Sequence, residues 1–281
     1  MDNIIILIDK LIPRGGEVPD SIHVSLEEYL SRLSNFNRKL VGIRYRIEVW
    51  EKLCKEHDED FNRMVNSKDP LKNADLKITQ FNYTSRDLRI ENEFEMILYS
   101  ISSALSSLTR VIGSFLKGSI DIHSHSNLSR TLSKYPDFEK NNLLVIGAYN
   151  LWFKELTNRR DYATHYIALS ITSSIKHSRS ESNTIEKNVS RIQIPKNPSK
   201  YFSLWEDELP TIGGSHSIKM LGSDGTEINE LKDSENTTIV RRELPLEKQP
   251  ELIDGEKYIQ RLNKYFLKYI ENILNSFVSK I

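Results

Sequence analysis

Residues 160–165 carry the side-chain types that chemistry at a phosphate requires. The segment reads Arg-Asp-Tyr-Ala-Thr-His, with an arginine five positions before a histidine and an aspartate directly after the arginine. A guanidinium keeps its positive charge and can hold a phosphate group, whereas an imidazole gains and loses a proton near neutral pH. Arg160, Asp161 and His165 are therefore the candidate catalytic residues, for a reaction that moves a proton beside a phosphate.

Spacing on a helix limits how the arginine and the histidine can act together. Residues five apart on a regular α-helix point about 140° apart around its axis, whereas residues four apart, such as Asp161 and His165, share a face. Two arrangements bring the pair together. In the first, Arg160 lies in an irregular first turn of the helix, with Thr157-Asn158 as its cap. In the second, two chains related by a two-fold axis share the site. The spacing leaves both open.

The composition is typical of a globular protein, and its zero net charge gives no overall attraction for nucleic acid. Lys and Arg number 39, as do Asp and Glu, so any RNA contact must come from a local basic patch. Lys154 and Arg159, beside the Arg-His segment, are the candidates for that contact. Cys54 is the single cysteine, which excludes an internal disulfide and a cysteine-rich zinc site. No apolar run suits a signal peptide or a membrane span, so we expect a cytoplasmic protein with no membrane partner.

A long amphipathic helix is predicted near the N-terminus. Ser25 and Glu28 form a capping box ahead of apolar residues that recur at alternating steps of four and three, which is the spacing of a heptad seam. The seam consists of Tyr29, Leu33, Phe36, Leu40, Ile43, Ile47, Trp50 and Cys54, continued by His57, Phe61 and Met64. This helix over residues 29–64 packs either inside its own bundle or against a second copy or a partner protein.

Four further helices are predicted before residue 176. Residues 66–84 are polar and indicate a loop. An apolar stripe from Ile90 to Phe115 then predicts a helix over about 85–116. A short helix at 128–134 is followed by one with Pro136 in its first turn, which runs to about Leu156. The Arg-His segment lies in a last one, over about 159–176.

After residue 176 the composition changes. Residues 177–200 are rich in Ser, Asn and charge and predict a linker, and HSIKML, GSDG and TTIVRREL predict short strands around a turn. From about Asp254 a closing helix has an apolar face that needs a partner. We therefore predict an all-α fold of four parts: an N-terminal segment at 1–23, a bundle of long helices at 24–176, an irregular, β-containing insertion at 177–253, and a closing helix at 254–281 packed on the bundle.

The Arg-His segment resembles the Arg-x4-6-His motif of the HEPN superfamily of helical proteins, many of which are RNases. In that superfamily the motif lies near the start of a late helix, usually with Asn, Asp or His directly after the arginine. Arg160-Asp161 and His165 occupy these positions, and the resemblance covers about residues 85–176. Some members carry a nucleotidylated tyrosine two positions after the histidine. Here Ile167 holds that position, so we do not expect that regulation.

The resemblance implies a homodimer or pseudo-dimer and RNA cleavage with no metal or other cofactor. A ribose 2′-OH would attack the adjacent phosphate and leave a cyclic phosphate end. His165 would transfer the proton, Arg160 would stabilise the charge that builds on the phosphate, and Asp161 would orient one of them.

One further motif and two single residues are of types that can bind a metal ion or take part in catalysis. Asp121, His123 and His125 form the Asp-x-His-x-His pattern of a metal motif in amidohydrolase-type barrels, but too few residues follow for such a barrel, so a polar loop is the better interpretation. Glu93 is a further acidic candidate, although it belongs to what we interpret as the solvated side of its helix. Cys54 is interpreted as a core residue of the seam.

Two functions from different classes fit these observations. The first is a HEPN-like, metal-independent endoribonuclease, a toxin or phage-defence effector that acts on RNA as a homodimer. The second is a non-catalytic helical protein that binds a partner through the 29–64 helix or the 177–253 insertion and uses the Arg-His segment only as structure.

Overall fold

The structure is a computed structural model that describes residues 2–14, 17–68, 78–117, 122, 124–165, 172–179, 185–195, 217–222, 227–228 and 252–278. Its helices are α1 (Asp2–Lys10), α2 (Leu26–Lys68), α3 (Leu88–Gly113), α4 (Leu128–Leu132), α5 (Glu139–Ala148), α6 (Lys154–His165) and α7 (Gly255–Val278). A π-helical turn at Tyr149–Phe153 joins α5 to α6, and 3-10 turns lie at His125–Asn127 and Pro136–Phe138. Its strands are β1 (Ile78–Arg86), β2 (Thr172–Arg179), β3 (Ile185–Pro195), β4 (Ser217–Gly222), β5 (Glu227–Ile228) and β6 (Leu252–Asp254). The described residues are mostly helical, which confirms the predicted helical character.

Two compact units make up the chain, and their boundaries fall inside helices. The first unit comprises residues 1–48, 95–161 and 259–281, and the second comprises residues 49–94 and 162–258. The described strands of the insertion predicted at 177–253 belong to the same unit as residues 49–94.

Helix α2 begins as the capping box predicts. The backbone N–H of Glu28 donates to Ser25 Oγ at 3.2 Å, while the carboxylate of Glu28 binds Arg32 at 2.5 Å. The described seam side chains of α2 are all buried: Tyr29, Leu33, Phe36, Leu40, Ile43 and Ile47 in the first unit, and Trp50, Cys54 and His57 in the second. The side chains of Phe61 and Met64 lie outside the described residues. Burial within a single chain confirms the packing of the described seam inside its own bundle.

In the first unit, aromatic side chains from several helices form the core. Tyr29 meets Phe115 edge-on at 5.8 Å between ring centroids, and its hydroxyl donates to the carbonyl of Leu11 at 3.0 Å. Phe277 of α7 lies 4.7 Å from Phe115 and 5.6 Å from Phe138. The closing helix therefore packs on the bundle, as predicted.

Helix α3 carries the predicted apolar stripe up to Val111, and Phe115 follows two residues after its end. Every member of the stripe is buried: Ile90, Phe94, Ile97, Ile101, Ala104, Leu108, Val111 and Phe115. Among the described residues it is the one helix long and apolar enough to cross a membrane, and 67% of that apolar window is buried. Such burial is typical of a core helix.

The second unit contains a six-stranded antiparallel sheet in the order β5-β4-β1-β2-β3-β6. Strand β4 confirms the strand predicted at HSIKML and pairs with β5, whereas TTIVRREL and the predicted turn after Gly222 lie outside the described residues. Strands β1, β2, β3, β5 and β6 were not predicted. Strand β1 includes residues of the predicted loop at 66–84, β2 overlaps the end of the helix predicted to residue 176, and β3 lies in the predicted linker.

The missed strands have a physical explanation. Strand β2 reads TSSIKHSR, in which Ile175 is the single aliphatic residue, so no apolar alternation marks it. It is held instead by its neighbours in the sheet, since Ile175 lies opposite Val189 of β3 and opposite Tyr83 of β1, which is distant in sequence. Strand β6 closes the edge next to β3 and leads directly into α7, whose Lys257 N–H donates to Asp254 Oδ1 at 3.0 Å.

Candidate functional site

The Arg-His segment lies at the end of one continuous helical stretch. Helix α5, the π-helical turn and α6 follow one another from Glu139 to His165 with no intervening coil. The helix break predicted at Thr157-Asn158 is therefore wrong, and Arg160 is the seventh residue of α6 rather than part of a first turn. Buried Leu156 and Arg159 continue the inner face that Trp152 begins, and this packing overrides the local capping signal.

Arg160 and Asp161 contact one another on α6. The Arg160 Nε donates to Asp161 Oδ1 at 2.9 Å, and Nη2 donates to the same oxygen. Their side chains are 32% and 47% exposed. Adjacent residues on a helix do not share a face, so the length of the arginine side chain makes the contact possible. Two of the three candidate catalytic residues are thus paired and accessible to a ligand.

His165 is the last residue of α6, and its side chain lies outside the described residues. Its position on the helix is four residues after Asp161 and five after Arg160. In a regular helix, Asp161 and His165 therefore share a face and Arg160 does not. Because Arg160 is inside the helix, the first-turn arrangement is excluded, and the two-chain arrangement remains for the catalytic interpretation.

Arg159 does not have the placement of an RNA ligand. Its side chain is 1% exposed, and Nε and Nη2 donate to Glu155 Oε1 at 3.2 and 3.1 Å. The other carboxylate oxygen of Glu155 lies 3.5 Å from Arg261 Nη2 of α7. We therefore correct the predicted RNA-binding role of Arg159: its guanidinium is a buried part of the bundle. Lys154, one turn earlier, is exposed.

The exposed side of this helical stretch changes character along its length. Leu143, Gly147, Leu151, Lys154 and Asn158 are exposed and recur at steps of four and three, the spacing of one helix face. We name this surface the α5–α6 face, with half-exposed Asp161 as the next position of the series. Leu143 and Leu151 are 62% and 63% exposed, and Ile146 and Tyr149 flank them at 40% and 42%. The face is apolar in its first half and polar in its second.

Other candidate residues are buried. Glu93 is 9% exposed, so the interpretation that it belongs to the solvated side of its helix is wrong, and Glu91 two positions earlier is 1% exposed. Cys54 is also buried, as predicted for a core residue. Burial, together with the nearby carboxylate of Glu256, raises the pKa of its thiol well above the usual range, which keeps the sulfur protonated and unreactive.

His125 belongs to the core rather than to a polar loop. Its Nε2 lies 2.6 Å from the hydroxyl of Tyr269, and its ring meets Phe153 edge-on at 4.7 Å. Burial lowers the pKa of His125 to about 4 and raises that of Tyr269, so both groups are neutral at neutral pH. The apolar neighbours Ile122 and Leu128, both buried, were the sequence signal for this placement.

Asp121 and His123 of the Asp-x-His-x-His pattern lie outside the described residues. His125 is therefore the one candidate ligand of the pattern that the structure describes. Within the described part of the chain, no group of three or more His, Cys, Asp or Glu side chains could hold a metal ion.

No family model, no curated protein and no solved structure matches this chain. The resemblance to HEPN proteins therefore depends on the spacing of Arg160, Asp161 and His165 and on the helical surroundings in which they lie.

Proposed function

We propose that this protein is a metal-independent endoribonuclease of HEPN type, a cytoplasmic toxin or phage-defence effector, whose site is shared by two chains. The observation that carries the proposal is the half-exposed Arg160–Asp161 pair at the polar end of the α5–α6 face. A positive, hydrogen-bonding guanidinium held by a carboxylate and open to ligand suits a phosphate diester.

A second copy of the chain accounts for the apolar half of the same face. Four large apolar side chains, Leu143, Ile146, Tyr149 and Leu151, are 40% to 63% exposed along one helical stretch. Clustered apolar exposure of this kind marks interaction surfaces, and a two-fold interface pairs a surface with itself. Such a pairing brings the α6 segments of two chains near one another, so that Arg160 of one chain and His165 of the other can meet one phosphate.

The chemistry assigns one role to each residue. The ribose 2′ oxygen forms a bond to the adjacent phosphorus while the bond from phosphorus to the 5′ oxygen breaks, giving a cyclic phosphate and a free 5′ hydroxyl. His165 moves the proton between these oxygens. Arg160 stabilises the charge on the phosphate oxygens, and Asp161 orients Arg160 through the contact described above.

The test is RNA cleavage in the presence of EDTA, with Arg160→Ala, His165→Ala and the exposed-arginine control Arg130→Ala on α4. We expect the parent protein and the control to leave cyclic phosphate ends. Both site variants should lose roughly a hundredfold or more in rate, the usual effect of removing a proton-transfer group or an oxyanion ligand. Equal rates of RNA cleavage in all four proteins would contradict the proposal.

A non-catalytic binding or assembly role is the second candidate. The apolar half of the α5–α6 face favours it, because self-association needs no chemistry at Arg160. In that case the protein forms a dimer and RNA remains intact under every condition of the same assay.

A further inference from the structure

A polar cleft between α2 and α3 lies outside the Arg-His segment. Its volume is about 370 Å³, and all of its lining residues belong to the first unit. Of the seven side chains that line it, three are arginines, three are serines and one is an asparagine, and none of the seven carries a carboxylate. Because the chain as a whole has zero net charge, this concentration of cations is a local property of the cleft.

Hydrogen bonds between the two helices hold the cleft in shape. Asn35 of α2 donates from Nδ2 to Ser107 Oγ of α3 at 3.2 Å. The Oδ1 of the same asparagine accepts a hydrogen bond from Arg38 Nη2 at 3.0 Å, which directs that guanidinium along the cleft. Arg38 therefore has a neutral partner that positions it without cancelling its charge.

Arg32 builds the wall of the cleft at the other end. Its Nη1 donates to the carbonyl of Arg110 at 2.9 Å and to Ser114 Oγ at 3.3 Å, and its Nη2 binds Glu28 at 2.5 Å. The side chain is only 12% exposed, and Glu28 offsets its charge. An adjoining depression shares Ser31, Arg32 and Arg110 with the cleft and includes Glu27 and Glu28, so carboxylates border the cleft at this end. Arg38 and Arg110 are the exposed guanidinium groups of the lining.

We propose that this cleft, here called the α2–α3 cleft, binds a phosphate-bearing ligand, either a nucleotide or the phosphate of an RNA strand. Guanidinium groups form paired hydrogen bonds with phosphate oxygens, and the serine hydroxyls supply further donors. The volume lies at the lower end of the range for small-ligand sites, about 300–1,000 Å³, and the polar lining selects a charged ligand over an apolar one. The inference is independent of the proposed function, since a nucleotide can occupy the cleft whether or not RNA is cleaved.

Calorimetric titration of the full chain tests the assignment with three probes: inorganic phosphate, adenosine monophosphate, and a short RNA with 2′-O-methyl groups that block cleavage. The parent is compared with the double variant Arg38→Gln/Arg110→Gln and with Arg44→Gln, an exposed arginine of α2 outside the cleft. We expect at least one nucleotide probe to bind the parent, phosphate to compete with it, and the double variant to bind at least about tenfold more weakly. The Arg44 variant should bind as the parent does.

Three results would overturn the assignment: no binding of any probe by the parent, equal binding by parent and double variant, or an equal loss in the Arg44 variant, which indicates unspecific attraction. A preference for the mononucleotide over the RNA identifies a nucleotide site, and the reverse identifies an RNA contact. The double variant leaves Arg160, Asp161 and His165 unchanged, so loss of binding at the cleft and loss of cleavage in Arg160→Ala are measured as separate outcomes.

Discussion

At the scale of single residues, buried polar groups define the first unit as much as its aromatic core does. The neutral pair of His125 and Tyr269 links the connector after α3 to the closing helix. The cation of Arg159 is buried against Glu155 of the preceding turn. Each group gave up contact with water on folding, so each depends on the partner it contacts.

The pH dependence of stability should report the burial of His125. Its pKa falls from 6.5 in the unfolded chain to about 4 in the folded protein, so below pH 6.5 the unfolded chain takes up a proton that the folded protein excludes. The free energy of unfolding should therefore be fully retained above pH 6.5 and should fall by about 3 kcal/mol as the pH drops to 4. Burial lowers the pKa of His57 as well, against the influence of Asp87, and this adds to the loss.

The variant His125→Gln isolates the contribution of this residue. Glutamine can still bond with Tyr269 but does not titrate, so urea unfolding across pH 4 to 6.5 should show a shallower slope than in the parent protein. An unchanged slope would show that His125 does not remain neutral in the folded state.

Removing the partner of Arg159 should destabilise the bundle. In Glu155→Gln the buried guanidinium loses its carboxylate, and we expect the free energy of unfolding to fall by about 1–3 kcal/mol. The matched control is Glu271→Gln, which breaks the exposed pair with Lys268 and should change stability by less than about 0.5 kcal/mol. Equal effects in chemical denaturation would contradict the structural role given to Arg159.

At the scale of elements, the helices with a regular apolar periodicity were predicted from the sequence, whereas most strands, which depend on pairing with other strands, were missed. The seam of α2, the stripe of α3 and the apolar face of α7 are patterns within one helix, and all three were found. Strand β2 has a single aliphatic residue, and β1 pairs with β2 and β4 across long stretches of sequence, so no local pattern marked these two strands. Strand β3 is near β2 in sequence, but its polar and charged residues gave it the composition of a linker. The helix break at Thr157-Asn158 was wrong because capping residues are also ordinary on the outer face of a helix.

The seam of α2 supplies a direct test of element packing. Phe36 is fully buried, and Phe36→Ala should lower the free energy of unfolding by about 3–5 kcal/mol because a cavity remains. Tyr45 on the same helix is 62% exposed, so Tyr45→Ala should cost less than about 0.5 kcal/mol. Comparable losses in the two variants, measured by urea denaturation, would mean that the seam does not face the core.

At the scale of the whole molecule, the central question is whether two chains combine. The continuity of α5, the π-helical turn and α6 removes the first-turn route by which a single chain could unite Arg160 and His165. It also puts the apolar and polar halves of the α5–α6 face on one stretch of helix, so one self-complementary contact can both join the chains and complete the site. The spacing of Arg160, Asp161 and His165 is readable from the sequence, whereas the burial of Arg159, which removes it as an RNA ligand, is seen only in the structure.

Sedimentation should show a dimer that depends on the apolar half of this face. Leu151→Asp places a charge where an apolar contact is expected and should convert the dimer to a monomer. Val41→Asp on α2 is the control, since Val41 is 53% exposed but lies on another helix. A parent protein that remains monomeric at tens of micromolar concentration would contradict the two-chain arrangement.

The most direct measurement mixes two inactive proteins. Arg160→Ala and His165→Ala chains are unfolded and refolded together, and RNA cleavage in EDTA is compared with that of each variant alone. If each site takes Arg160 from one chain and His165 from the other, half of the dimers contain one intact site, and the mixture should recover about a quarter of the parent activity. A mixture that forms dimers but stays as inactive as its components would contradict a site shared between two chains.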